Sequence, residues 1–204
     1  MKGYIFDLDG VLVDTAKYHY IAWKTIAKEF NFELTPQHNE QLKGIGREVS
    51  LHQILQWAGK TLSETDFTDT ALRKNKLYLE QISSIDSSEL LPGVLNFLQL
   101  LKAHHKKIAL GSASRNARLV LERTGILPLF DAIVDGTMVS KAKPDPEVFL
   151  KATEGLGLPP ADCCVFEDAP AGAKSAGMKV IGVGDPEVLK AADTVIPNFL
   201  NMKI

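Results

Sequence analysis

Short apolar runs alternate with longer amphipathic stretches along most of the chain. YIF (4–6), KIALGS (107–112), AIVDG (132–136), CCVFED (163–168), VIGVG (180–184) and TVIP (194–197) are too short for helices. Their largely unbroken apolar character suits strands buried on both faces. Helical spacing lies between them. PGVLNFLQLLKAHH (92–105) opens on Pro92, and NARLVLERTG (116–125) closes on Gly125, a C-cap signal. DPEVFLKATEGLG (145–157) and AGAKSAG (171–177) complete the pattern. The alternation predicts an α/β fold with a doubly wound, Rossmann-like parallel sheet covered by helices on both faces.

One region breaks the alternation. From Thr15 to about Ile85 the pattern is helical, with almost no strand signal. Ala16, Tyr20, Trp23, Ala27 and Phe30 fall on one helix face, which reads as core packing more than as a sugar-stacking surface. VSLHQILQWAG (49–59) and TALRKNKLYLEQIS (70–83) give two further helices. An inserted helical cap domain over 15–86 is therefore expected within an α/β core domain of 1–14 and 87–204. The two linkers, at Asp14-Thr15 and in the Ser-rich SSIDSSELLPG, suit a lid that hinges over the core.

Composition narrows the classes. The 204 residues are 45% hydrophobic, enough for a sizeable core. Lys and Arg total 23 against 25 Asp and Glu, a net charge of -2, so no basic excess points to nucleic acid or an anionic membrane. No apolar run approaches the roughly 18 residues of a membrane span. Asp7 cuts YIF short, so no signal peptide is expected. The two cysteines, Cys163 and Cys164, are adjacent and close no loop, which suits a reduced, cytosolic protein.

Ligands of open parallel sheets sit beyond the carboxyl ends of the strands. Asp7-Leu8-Asp9-Gly10 follows the first strand, and Ser112-Ala113-Ser114-Arg115-Asn116 follows the second. Lys143 follows the third, and Glu167-Asp168 ends the fourth. Each has a plain reading alone: a turn, a helix cap, a solvated lysine, an acidic helix start. Together, in this order, they are the parts that hold a divalent cation and a phosphoryl group.

FDLDGVLVDT, GSAS, KPDPEVF and VFEDAPAGAKSAG resemble the four motifs of the haloacid dehalogenase superfamily of phosphotransferases. DTAKYHYIAW, NEQLKGIGRE and RKNKLY narrow the likeness to its sugar-phosphate mutases. The resemblance implies that Asp7 is the nucleophile, forming an aspartyl phosphate. Asp9 is implied as general acid and base, with a pKa that rises on lid closure. Asp7, Asp9 through its backbone carbonyl, Glu167 and Asp168 would hold Mg²⁺. Ser112 and Lys143 would hold the transferring phosphoryl oxygens, and Lys143-Pro144 is a candidate cis bond. The cap loop Lys43-Gly44-Ile45 with Arg47, and Ser114, Arg115 and Asn116 from the core, would bind substrate and its second phosphate. His19 and Lys74 would face the cleft. Asp14 is expected in the hinge or capping the next helix.

The implied reaction interconverts β-D-glucose 1-phosphate and β-D-glucose 6-phosphate through a β-glucose 1,6-bisphosphate, which would also act as activator. A monomer is expected, with a small sugar phosphate as its partner. A sugar-phosphate phosphatase is the alternative, and a non-catalytic binding protein a third reading. Two positions depart from the mutase pattern: Gly46 stands where serine is frequent, and Arg115 where lysine is. Both bear on sugar preference.

Overall fold

The computed structural model describes residues 1–169 and 177–204. Six parallel strands form one sheet in the order β3-β2-β1-β4-β5-β6. They are β1 (Gly3–Phe6), β2 (Lys107–Gly111), β3 (Ala132–Val134), β4 (Cys163–Glu167), β5 (Lys179–Val183) and β6 (Thr194–Ile196). All six coincide with the apolar runs. The helix expected over 171–177 lies outside the described residues.

Side-chain alternation splits the core in two. Tyr4, Phe6, Ile108, Leu110, Cys164 and Phe166 point to one face, onto α5 (Val94–Ala103) and α6 (Ala117–Arg123). Ile5, Ala109, Cys163 and Val165 point to the other, onto Val148, Phe149 and Ala152 of α7 (Glu147–Leu156). The adjacent cysteines thus face opposite ways, both buried and free. On the first face Phe6 and Phe166 stack at 4.6 Å, with Phe97 and Phe199 against them. Burial on both faces is why these strands read as apolar runs and not as alternating patterns.

α1 (Ala16–Glu29), α2 (Pro36–Glu40), α3 (Arg47–Trp57) and α4 (Glu64–Ile82) all lie between β1 and α5. Trp23, Ile26, Leu34, Leu51, Ile54 and Ala71 give them an apolar cluster of their own. The chain's two crossings pair with each other. Val13 bridges Leu90, the Asp14 N–H donates to Glu89 O at 2.9 Å, and the Leu91 N–H donates to Leu12 O at 3.0 Å. Glu89 also receives Lys17 and the Tyr18 hydroxyl, each at 2.7 Å. Asp14 therefore sits at the crossing, exposed and 3.4 Å from Lys17, and does not cap α1.

Local signals moved several boundaries. α4 begins at Glu64, before the expected Thr70, because the Ser63 hydroxyl accepts from the Asp66 N–H. α2 was not anticipated; Thr35 and His38 form its capping box. α3 begins at Arg47, two residues before the expected start. Pro92 does not open α5: the helix starts at Val94, after Gly93 at φ +84°. A Cβ on Gly93 would lie 2.4 Å from the Phe199 backbone, so that turn requires glycine. The Lys143-Pro144 bond is cis. Among the described residues no helix is long and apolar enough to cross a membrane.

Phe166 is fully buried between the other aromatic rings. Phe166→Ala should cost about 3–5 kcal/mol, measured by urea unfolding. A loss below about 1 kcal/mol would mean that this cluster collapses around the void.

Candidate active site

The parallel register brings the strand ends level. Phe6 pairs with Leu110 on one side and Phe166 on the other, so Asp7, the Gly111-Ser112 step and Glu167 emerge together. The Asp7 N–H donates to Phe166 O at 3.0 Å, and the Ser112 N–H to Val134 O at 3.0 Å. Both side chains leave rigid backbone at the carboxyl edge. Past β2 the loop winds on its own hydroxyls. Ser112 Oγ accepts from the Ser114 N–H at 3.1 Å, and Ser114 Oγ accepts from the Asn116 N–H at 3.3 Å.

Lys143 is buried among the acids. Its Nζ lies 2.6 Å from Glu167 Oε2, 3.1 Å from Asp7 Oδ1 and 4.7 Å above the Phe149 ring. Burial alone would lower its pKa, but Asp7 and Glu167 outweigh that and hold the ammonium charged. Burial pushes the Glu167 carboxyl up, and Lys143 pulls it back. The other Glu167 oxygen accepts from the Asp168 and Ala169 N–H groups, each at 3.2 Å.

Asp7, Glu167 and Asp168 each offer an oxygen within 4.8 Å of the others. Asp168 Oδ1 is buried with no hydrogen-bond partner. Burial and the neighbouring Glu167 and Asp7 charges push the Asp168 carboxyl well above its ordinary range. Orphaned, crowded carboxylate oxygens fit a hard divalent cation, which would supply the missing partner. Gly10 makes room for this arrangement: at φ +80°, its Cβ would fall 1.9 Å from Asp168 Oδ2.

The Asp9 side chain turns away from that cluster. Thr15 Oγ1 donates to its Oδ1, and His19 Nε2 stands 3.8 Å from the same atom. His19 Nδ1 lies 2.6 Å from Lys74 Nζ, and its ring stacks on Tyr78 at 4.0 Å. Burial first, then Lys74 and Arg47, lower the His19 pKa well below its usual value. A neutral imidazole receiving Lys74 at Nδ1 carries its proton at Nε2, toward Asp9. Burial, with Arg47 adding, lowers Lys74 to about 7. Burial raises Asp9 to about 6; the Thr15 hydrogen bond opposes this and the Asp7 charge adds to it. The Lys74 ammonium also lies 4.7 Å above the Trp23 ring, so Trp23 packs the helices and floors this site.

Across the cleft, Arg47 opens α3, with Gly46 as its N-cap. Gly46 gives α3 no side-chain cap, and nothing lies within 4 Å of a Cβ there, so a serine would fit. Arg47 Nη2 and Asn116 Nδ2 both donate to Asn75 Oδ1 at 2.8 Å. Arg115 pairs with Glu48 at 3.0 Å. Gly44, at φ +70°, passes close over Ala169, while Lys43 pairs with Glu40 at 2.9 Å.

Of the residues singled out from the sequence, all but Glu167 line one cavity of about 370 Å³; Glu167 lies beneath its floor. Thr15, Tyr78, Asn75 and Glu48 were missed. All four stood inside the quoted FDLDGVLVDT, NEQLKGIGRE and RKNKLY segments, and no spacing rule singled them out, although Tyr78 lies one helical turn after Lys74.

Sheet, insert and carboxylate–lysine floor define a class of protein. A family model of haloacid dehalogenase-like hydrolases matches residues 1–177, and the chain belongs to that family. Particular relatives are mutases: a β-phosphoglucomutase of Bacillus subtilis (strain 168) is 46% identical over 201 residues, 96% of this chain and 89% of the relative. The solved β-phosphoglucomutase of Clostridium difficile superposes with a TM-score of 0.96 at 41% identity, covering 100% of this chain and 93% of that one. A fructose-1-phosphate phosphatase of Escherichia coli (strain K12) is 30% identical over 188 residues, 89% of this chain and 95% of the relative.

Gly10→Ala should drive Asp168 aside and weaken divalent-cation binding about 10- to 100-fold while the fold survives. Calorimetric titration with Mg²⁺ tests this; unchanged affinity would remove Asp168 from the cation site. Asp9 yields a pH prediction. Its folded pKa of about 6 lies above the unfolded value, so ionising it costs stability as pH rises through that window. In chelator, Asp9→Asn should melt higher than the wild-type protein at pH 7 and show no such gain at pH 4. Equal gains at both pH values would refute the raised pKa.

Proposed function

We propose that the protein is a phosphomutase that interconverts β-D-glucose 1-phosphate and β-D-glucose 6-phosphate. One observation carries the reading: the cavity lined by Asp7, Ser112 and Lys143 is also lined by a second set of anion-binding groups, Arg47, Ser114 and Asn116. A phosphatase needs the first set alone; a mutase must hold a bisphosphate with both. The 46% identity to a β-phosphoglucomutase supports the same choice.

Asp7 Oδ attacks phosphorus in line and forms an aspartyl phosphate as the bond to the leaving sugar oxygen breaks. Asp9 gives its proton to that oxygen. In the other half-reaction the sugar hydroxyl attacks the aspartyl phosphate, Asp9 takes the hydroxyl proton, and Asp7 leaves as carboxylate. Glucose 1,6-bisphosphate would prime the cycle by phosphorylating Asp7. His19, set by Lys74 and Tyr78, turns its Nε2–H to Asp9, while Thr15 holds the same oxygen. Ser112 and Lys143 bind the transferring oxygens, where charge spreads in the transition state.

The carboxylates of Asp7 and Asp168, the Asp9 carbonyl and Glu167, directly or through water, would hold Mg²⁺. When bound, that ion supplies positive charge to the phosphoryl oxygens. Lys43, Gly44, Ile45 and Arg115 complete the sugar and distal-phosphate contacts. We divide the chain into a core of 1–14 and 87–204 and a cap of 15–86, hinged at the paired crossings. A monomer in the cytoplasm fits the reading.

The test is a coupled assay on β-glucose 1-phosphate with Mg²⁺ and a trace of glucose 1,6-bisphosphate. Isomer formed far in excess of free phosphate is expected; free phosphate as the main product would make the protein a phosphatase. Arg47→Ala should cut isomerisation about 10- to 150-fold, the worth of a charge-assisted hydrogen bond of roughly 1.5–3 kcal/mol. Hydrolysis of acetyl phosphate, which has no distal phosphate, should be spared. Equal losses in both would end the distal-phosphate role.

A further inference from the structure

We infer that Asn75 is a latch between the helical insert and the sheet, its side-chain oxygen holding the two donors that a distal phosphate would take. Asn75 lies on α4, next to Lys74. Its Oδ1 accepts from Arg47 Nη2 and from Asn116 Nδ2, both at 2.8 Å. Arg47 belongs to the insert, and Asn116 to the loop after β2. One oxygen therefore ties the two bodies together.

The orientation of the amide is not arbitrary. A guanidinium donates and never accepts, so the group facing Arg47 must be the Asn75 oxygen. That oxygen has two lone pairs, and the two donors use both. Another side-chain tie between the insert and the loop after β2, Arg115 to Glu48 at 3.0 Å, joins two half-exposed groups. Exposed pairs of that kind contribute little. The Asn75 bridge is part-buried: its charge-assisted Arg47 arm fixes the oxygen within the insert, and its Asn116 arm spans the cleft.

A phosphate oxygen seeks the same partners: a guanidinium fork and an amide N–H. A phosphate arriving at Arg47 and Asn116 must displace the Asn75 oxygen and then closes the cleft through the same donors. The insert is held shut by Asn75 before the exchange and by ligand after it, and it opens between the two. The exchange step rests on the distal-phosphate reading; the latch itself does not.

Double electron–electron resonance on the full chain tests it. Gln56→Cys on α3 and Arg118→Cys on α6 place spin labels at exposed sites of the two bodies, and the native cysteines are buried. Without added phosphate, Asn75→Leu should shift the closed-to-open ratio about two- to tenfold toward open, the loss of the neutral bond to Asn116. Asn75→Asp keeps an acceptor in place and should stay shut. Inorganic phosphate should reclose the Leu variant and leave the Asp variant unmoved. An unchanged distance distribution in a folded Leu variant overturns the latch, as does an Asp variant that opens as far as the Leu variant. If the Leu variant opens and phosphate does not reclose it, the latch stands and the distal-phosphate reading falls. Asn75→Ala provides the same measurement should the Leu variant not fold.

Discussion

The buried ammonium of Lys143 is the interaction on which the site depends. Glu167 is wholly buried and Asp7 nearly so, a few ångströms apart at the end of two paired strands. Two such acids without compensation would repel and protonate. Lys143 Nζ touches both, and its charge opposes the protonation that burial favours at Glu167. Removing one partner from such a buried group leaves an uncompensated charge, which is costly. The lysine thus sets the geometry of the floor.

Burial then makes similar residues unlike one another. Asp7 and Asp9 are two positions apart on one strand extension, yet they face different partners. Asp7 meets Lys143, whereas Asp9 meets Thr15 and the His19–Lys74 pair of the insert. Its raised pKa follows from closure of the helices over it, since burial is the largest cause. Asp9 is therefore tuned by the insert and Asp7 is placed by the sheet.

The insert and the sheet share apolar packing as well as polar contacts. Ala22, Tyr78 and Ile82 join Leu8, Leu12 and Phe97 in one buried cluster. Val13 bridges Leu90, Gly44 skims Ala169, and Asn75 bridges to Asn116.

The sequence by itself determined the sheet and the sheet's chemistry. The central strands β1, β2 and β4 are buried on both faces and so read as apolar runs, and parallel strands must deliver the residues after them to one edge. Asp7, Ser112, Lys143 and Glu167 were legible for that reason. Short polar helices such as α2, and the early start of α4 at Ser63, were not, because a cap is one hydrogen bond and leaves no periodicity. The partners Thr15, Tyr78, Asn75 and Glu48 were decided only by the tertiary structure. Thr15 reaches back six positions to Asp9 and Tyr78 stacks on His19 within the insert, but Asn75 meets Asn116 across 41 positions and Glu48 meets Arg115, both from the insert to the loop after β2. Such pairings follow from how the insert docks on the sheet, and docking is a property of two packed surfaces that no local pattern encodes.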